Sequence, residues 1–180
     1  EFIRSGQEAY QALKYCSVPV VGASAGLCLG GGAEVLLHCD SIQAHSESYI
    51  GLVEVGVGII PAWGGCKEML ARIRDFNLAP GGPMGPIMKA FEIIGTAQVA
   101  KSADQARSMG FLGPDDSISM NRDRLLADSK MKALTMSYGY TPPKPYMFNL
   151  PGKTARIALE MAVSDLAKSG NATPHDVIVT

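Results

Sequence analysis

A chain of 180 residues with 47% hydrophobic content suits one domain with a real core, and a net charge of −1 with an isoelectric point near 6.3 leaves no field for holding nucleic acid or an anionic membrane. Cys16, Cys28, Cys39 and Cys66 show no CxxC or His/Cys ligand spacing, and His38, His45 and His175 are scattered, so reduced thiols and no metal are expected. No apolar run reaches membrane-spanning length and no signal peptide opens the chain, which implies a soluble, cytoplasmic protein without membrane insertion. The chain lacks an initiator Met and starts inside a helical pattern, as a fragment or excised domain would. The sequon Asn171-Ala172-Thr173 is read as without consequence in such a protein.

In chain order, residues 2–15 read as a helix, with Phe2, Ile3, Ala9, Tyr10 and Leu13 near a 3.6 period. Pro19 ends it, and residues 18–21 form a short apolar run typical of a buried strand. Residues 22–26 are a loop of small side chains, after which a helix begins near Gly31 and carries residues 33–39. Val35, Leu36 and Leu37 lie on successive faces, so that helix is expected to be buried. Residues 40–45 alternate like a strand, and Tyr49-Ile50 add a short extended piece. A turn over residues 61–65 leads into a helix over 66–74, and the Pro/Gly content of residues 79–86 predicts a loop. Ser102-Ala103-Asp104-Gln105 is a capping-box signature for a helix that stops at Gly110. A further helix from about Asp123 carries Ala127, Met131, Leu134 and Tyr138 on one stripe; residues 141–145 break it, and a last helix covers about 154–168 with Leu159, Val163 and Leu166 inward. Neither a repeat nor a domain-scale linker interrupts this α/β pattern.

The chemistry concentrates in Gly30-Gly31-Gly32-Ala33-Glu34 and in the later Gly51-Leu52-Val53-Glu54-Val55-Gly56. Each acid stands in an apolar, glycine-rich setting, where an unpaired carboxylate is costly to bury. Glu34 falls in the first turn of its helix, where the helix dipole alone accounts for an acid as well as catalysis does. Three consecutive glycines at a strand-to-helix turn shift that balance, because they cost backbone entropy and permit close approach to a ligand. A free N–H at such a helix start is a ready donor to an oxyanion. Glu54 is the single charge in an apolar run over residues 50–61, a candidate for a raised pKa, although alternation also permits an outward-facing strand residue. Spacing alone does not bring the two acids together.

Residues 19–65 (PVVGASAGLCLGGGAEVLLHCDSIQAHSESYIGLVEVGVGIIPAWGG) closely resemble the core of the enoyl-CoA hydratase/isomerase, or crotonase, family: a PV strand, a small-residue loop, GGG-x-E, a CD strand start, and a second acid ahead of the proline and the glycine pair. Likeness continues more weakly over residues 102–112. The resemblance implies a crotonase-type α/β spiral of ββα units, here its C-terminal half, followed by C-terminal helices. It implies a core half over residues 1–112 and a helical extension of the same domain over 113–180. By resemblance Glu34 orients and deprotonates a water, Glu54 exchanges the proton at the α-carbon of an acyl-CoA thioester, and the Gly31 N–H binds the thioester oxygen. Gly30, Gly32, Pro61, Trp63 and Gly64 are the accompanying substrate-contact positions. Retention of both acids favours hydratase over isomerase. Coenzyme A enters as part of the substrate, and no separate cofactor is implied.

The family's first half, with a second oxyanion donor and most adenine contacts, is expected to precede Glu1. The loop over residues 79–86 and the chain from Ser117 onward depart from small single-domain hydratases and look instead like the hydratase portion of a multifunctional β-oxidation protein, covalently joined to a 3-hydroxyacyl-CoA dehydrogenase. Trimer-type self-association is implied by the same likeness. Three other readings compete. A dinucleotide-binding turn lacks G-x-G-x-x-G in the needed place. A serine hydrolase with Ser24 and His45 leaves both glutamates unexplained. A catalytically incomplete module with a structural or oligomerisation role is the strongest of the three.

Overall fold

The polypeptide enters its sheet later than its apolar run suggests, and Pro19 is the reason. Without an N–H, Pro19 cannot join a ladder, and the next donor, Val20 N, is taken by Asp40 Oδ2 at 2.8 Å. In the computed structural model, which describes residues 1–179, strand β1 is therefore Val21–Ser24, not residues 18–21, and Val18 is exposed. Residues 22–24, the first three of the small residues predicted as a loop, belong to the strand itself. Their size has a packing reason: a side chain at Gly22 would run into Leu36 of the helix above and Cys39 just after it.

Before β1, helix α1 (Phe2–Lys14) follows the predicted span, but among its residues only Lys14 is fully buried, and Phe2 and Ile3 are exposed. Strand β2 (Leu27–Leu29), unforeseen in the sequence, leads into α2 (Gly31–Leu37), which begins at the expected glycine. Val35 faces outward there while Ala33, Leu36 and Leu37 are buried, so the helix is buried on one side only. Strands β3 (Ser41–His45) and β4 (Tyr49–Gly51) follow, then a 3-10 turn at Glu54–Val57 and helix α3 (Gly65–Asp75).

Helix α4 (Met84–Gly95) begins inside the segment predicted as a loop. Pro83 caps it, and Pro86 lies in the first turn, where a missing N–H costs no helical bond. Strand β5 (Val99–Ala100) precedes α5 (Ala103–Met109), whose N-cap Ser102 accepts from Gln105 N at 3.1 Å. Gln105 Oε1 reaches back to Lys101 N, one residue earlier than a standard capping box, and Gly110 closes the helix with φ 91°.

Strand β6 (Ser117–Ser119) completes a parallel three-stranded sheet ordered β1-β3-β6. A second sheet, β2-β4-β5, pairs β2 parallel and β5 antiparallel to β4. Ile42, Ile50, Leu52, Met69, Ile73, Ile93, Phe111 and Leu112 fill the core between the sheets and α3, α4 and α5.

After a 3-10 turn at Arg122–Arg124, helix α6 (Leu125–Met136) buries Leu125 and Ser129. Its predicted stripe of Ala127, Met131, Leu134 and Tyr138 faces outward instead. Polar contacts set that rotation: Asp128 accepts from Ser119 Oγ at 2.7 Å, and Lys132 Nζ donates to Asp115 O at 2.7 Å. Helix α7 (Lys153–Lys168) buries Val163 and half-buries Leu159 and Leu166, and α8 (Asp176–Val179) ends the described chain. Among the described residues no helix is long and apolar enough to cross a membrane, and no three His, Cys, Asp or Glu side chains are placed to hold a metal ion.

Candidate active site

The two glycine-flanked acids come from different elements, α2 and the 3-10 turn, and both side chains point inward. The start of α2 is pinned first. Gly30 N donates to Gly51 O at the end of β4 (2.9 Å), and Glu34 N donates to Gly30 O at 3.0 Å. Gly30 has φ 56° and ψ −128°, a conformation that favours glycine. This bend aims Glu34, 2% exposed, at the turn before α3. There its Oε1 accepts from Trp63 N at 3.0 Å and Gly65 N at 2.8 Å. Burial nevertheless holds the Glu34 carboxyl above its usual range, with the two N–H donors opposing.

Glu54, 7% exposed, opens the 3-10 turn, and a methyl group on Gly30 would lie 3.5 Å from its Oε1. Neither carboxylate oxygen has a hydrogen-bond partner. The N–H groups of Val53 and Glu54 favour its charge from nearby without reaching hydrogen-bond geometry. Burial first, and then the charge of Glu34, push its pKa up. An isolated carboxylic acid in an apolar wall is thus set beside one that is hydrogen-bonded.

Gly31 occupies the first position of α2, where its N–H has no intrahelical acceptor. Its carbonyl accepts from Tyr10 Oη at 3.1 Å. Tyr10 is a site residue that sequence reasoning counted only as helix packing. Burial, then the charges of Glu34 and Glu54, raise its pKa, which marks it as a neighbour of both acids. Of the other predicted positions, Gly32 approaches Cys28, whereas Pro61, Trp63 and Gly64 build the turn that supplies the donors to Glu34. Trp63 stands edge-on to Phe2 and Tyr10, each at 5.4 Å between ring centroids, and Gln7 Nε2 donates to Ala62 O at 2.8 Å. Helix α1 therefore fastens this turn from outside.

Against Val55, the residue after Glu54, lies an apolar cavity of about 370 Å³, lined among others by Ile60, Pro61, Cys66, Ile87 and Leu159. Cys66 is exposed as a residue, but its thiol turns toward Pro61 O at 3.8 Å. Its pKa is pushed up to about 11 by burial and then by Glu34 and Glu54, which places this wall near both acids. The hydrolase arrangement does not form. Ser24 Oγ is buried against Ser48 Oγ at 3.4 Å, and His45 Nδ1 instead accepts from Glu47 N at 3.2 Å.

Comparison with known proteins agrees with this architecture. Residues 1–80 match the model of a family described as enoyl-CoA hydratase/isomerase. It is 43% identical over 176 residues, 97% of this chain, to a Bacillus subtilis protein named probable 3-hydroxyacyl-CoA dehydrogenase, of which it spans 22%. A short-chain-enoyl-CoA hydratase from Clostridium acetobutylicum is 34% identical over 59% of this chain and 36% of its own length. The fold is of the crotonase type. A Bacillus anthracis enoyl-CoA hydratase structure superposes with a TM-score of 0.61 at 22% identity, covering 98% of this chain and 56% of that one.

Proposed function

We propose that this chain is the water-adding part of a fatty-acid β-oxidation enzyme, acting on 2-enoyl-CoA thioesters. The observation that carries the reading is the unequal pair of buried acids: Glu34 with two N–H donors on its carboxylate, and Glu54 with none. The donors favour ionised Glu34, which suits a base that takes a proton from water. Isolation keeps Glu54 protonated to higher pH, which suits an acid that delivers a proton.

In this mechanism hydroxide from the water bonds to the β-carbon as its proton passes to Glu34. The electron pair of the double bond moves toward the thioester oxygen, where the Gly31 N–H meets the growing negative charge. Glu54 gives its proton to the α-carbon, and the C–C double bond becomes a 3-hydroxyacyl thioester. The cavity against Val55 would take the apolar tail. Coenzyme A belongs to the substrate, and no further cofactor is required.

The product is the substrate of a 3-hydroxyacyl-CoA dehydrogenase, and the similarity to part of a protein bearing that name supports a covalently linked dehydrogenase domain. The outward stripe of Met131, Leu134 and Tyr138 suits self-association of a trimer type, in a cytoplasmic enzyme. A second reading is an incomplete module with a structural or oligomerisation role. Crotonyl-CoA hydration by this chain and by a longer parent protein separates the two. In whichever is active, Glu34→Gln and Glu54→Gln are each expected to lower turnover ~10²–10⁴-fold. Near-normal turnover in either variant refutes the two-acid mechanism.

A further inference from the structure

Behind Glu34 lies a buried polar cluster that water addition does not use. Glu68 of α3 is fully buried, and its Oε2 accepts from Lys14 Nζ at 2.7 Å and Tyr146 Oη at 3.2 Å. Lys67 Nζ lies 3.0 Å from Oε1, paired by charge without an aligned hydrogen bond. His38, at the C-cap of α2 and 1% exposed, places Nε2 3.6 Å from the same oxygen. The His38 ring also stands 5.4 Å from that of Tyr10.

The two edges of this imidazole meet the two structures that define Glu34. Nδ1 lies 2.7 Å from Glu34 O, and because a carbonyl only accepts, Nδ1 carries the hydrogen. The opposite edge abuts the start of α3: a methyl group on Gly64 would lie 2.8 Å from Nε2. The next residue, Gly65, supplies one of the two N–H donors to the Glu34 carboxylate. One ring therefore spans from the backbone of residue 34 to the peptide that holds its side chain, and Glu68 closes the far side.

We propose that His38 is a positioning residue for Glu34, keeping α2 and the start of α3 at the separation at which Trp63 N and Gly65 N both reach Oε1. This rests on the reading of Glu34 as the group that activates water. A histidine that merely fills space behind α2 would cost stability when replaced, yet leave the ionisation of Glu34 unchanged.

The test is the titration of the Glu34 side-chain carboxyl by carbon NMR, assigned with Glu34→Gln, in the complete chain. His38→Leu fills the space without a donor and is expected to raise the Glu34 pKa beyond its already raised value. His38→Asn keeps an N–H near the place of Nδ1 and is expected to restore it. Hydration of crotonyl-CoA should fall ~10–10²-fold in kcat for the Leu variant with KM little changed, as expected when a reacting group is displaced by a fraction of an ångström. If His38→Leu does not fold, His38→Gln takes its place, since its amide reaches toward Nε2 rather than Nδ1 and should also raise the pKa. An unchanged Glu34 titration in a folded Leu or Gln variant overturns the proposal. A shifted titration in a chain that hydrates crotonyl-CoA neither alone nor within a longer parent protein keeps the positioning role and refutes the hydratase reading.

Discussion

The charge of Glu34 reaches Glu54, yet two backbone N–H groups meet the Glu34 carboxylate and no donor reaches that of Glu54. The asymmetry arises from backbone, not from charged partners. Trp63 and Gly65 lie on the turn into α3 that faces α2, whereas the 3-10 turn carries Glu54 into an apolar wall.

The consequence is a pH-dependent instability at Glu54. Its folded pKa stands above the unfolded value, so its contribution to stability is fully present below the unfolded pKa, about 4.3, and is lost as pH rises through the folded one. Glu54→Gln removes that loss. It is expected to change stability little at pH 4 and to raise it by about 1 kcal/mol at pH 7, the gain typical of relieving a functional site. Thermal or urea unfolding at both pH values measures it. A Gln variant no more stable than the parent at neutral pH would show that the carboxylate is compensated after all.

A second prediction lies far from the acids. Asp116 Oδ1 accepts from Ser41 Oγ at 2.8 Å and Ile42 N at 2.7 Å, Oδ2 accepts from Gly113 N at 2.6 Å, and Arg72 Nη1 lies 3.7 Å away. One side chain thus joins the start of β3 to the loop before β6. Asp116→Ala leaves the buried N–H groups of Ile42 and Gly113 without their acceptor and takes from Arg72 the carboxylate it pairs with by charge, a loss of about 3–5 kcal/mol. Denaturant unfolding should show it as a large fall in midpoint.

The turn bearing Glu54 offers a third. Gly58 has φ 78°, and a methyl group there would lie 3.0 Å from His175 Nε2, which itself sits 2.8 Å from Gly58 O. Gly58→Ala combines left-handed strain with displacement of that ring, and should cost about 1–3 kcal/mol. Activity should fall with it, because Ile59 N donates to Glu54 O and so ties the strained residue to the acid. Equal stability and turnover in the Ala variant would show the turn to be pliant.

Sequence reading reached what local chemistry encodes. The helix start at Gly31, the Ser102 cap and the apolar surroundings of both acids each rest on residues close in the chain, and each is present. What it missed depends on partners distant in sequence. The small residues of β1 read as a loop because only the overlying Leu36 and Cys39 reveal why they are small. Helix α4 hides behind prolines that are harmless in a first turn. The α6 stripe points outward because polar contacts to Ser119 and Asp115 outweigh apolar periodicity. Tyr10 and His38 carried no motif at all: their roles come from α1 and the start of α3 folding against α2. For His38, the helical i,i+4 spacing from Glu34 was the one local hint.

The last prediction concerns the donor at Gly31. Proline suits the first position of a helix, where its ring sets the needed φ and no helical bond is lost, so Gly31→Pro removes the N–H with little damage to α2. Crowding is the remaining cost, because a Cβ at this position would lie 3.2 Å from Trp63 Cζ3. Gly31→Ala carries that same Cβ and keeps the N–H, which makes it the control. If the N–H meets negative charge on the thioester oxygen, the Pro variant should lose ~10²–10³-fold in turnover beyond any loss in the Ala variant. If Gly31 only permits close packing on Trp63, the two variants should lose stability and activity together and to a similar degree. Thermal unfolding measured beside crotonyl-CoA hydration distinguishes the cases. A folded Gly31→Pro protein with the turnover of Gly31→Ala rules the oxyanion role out.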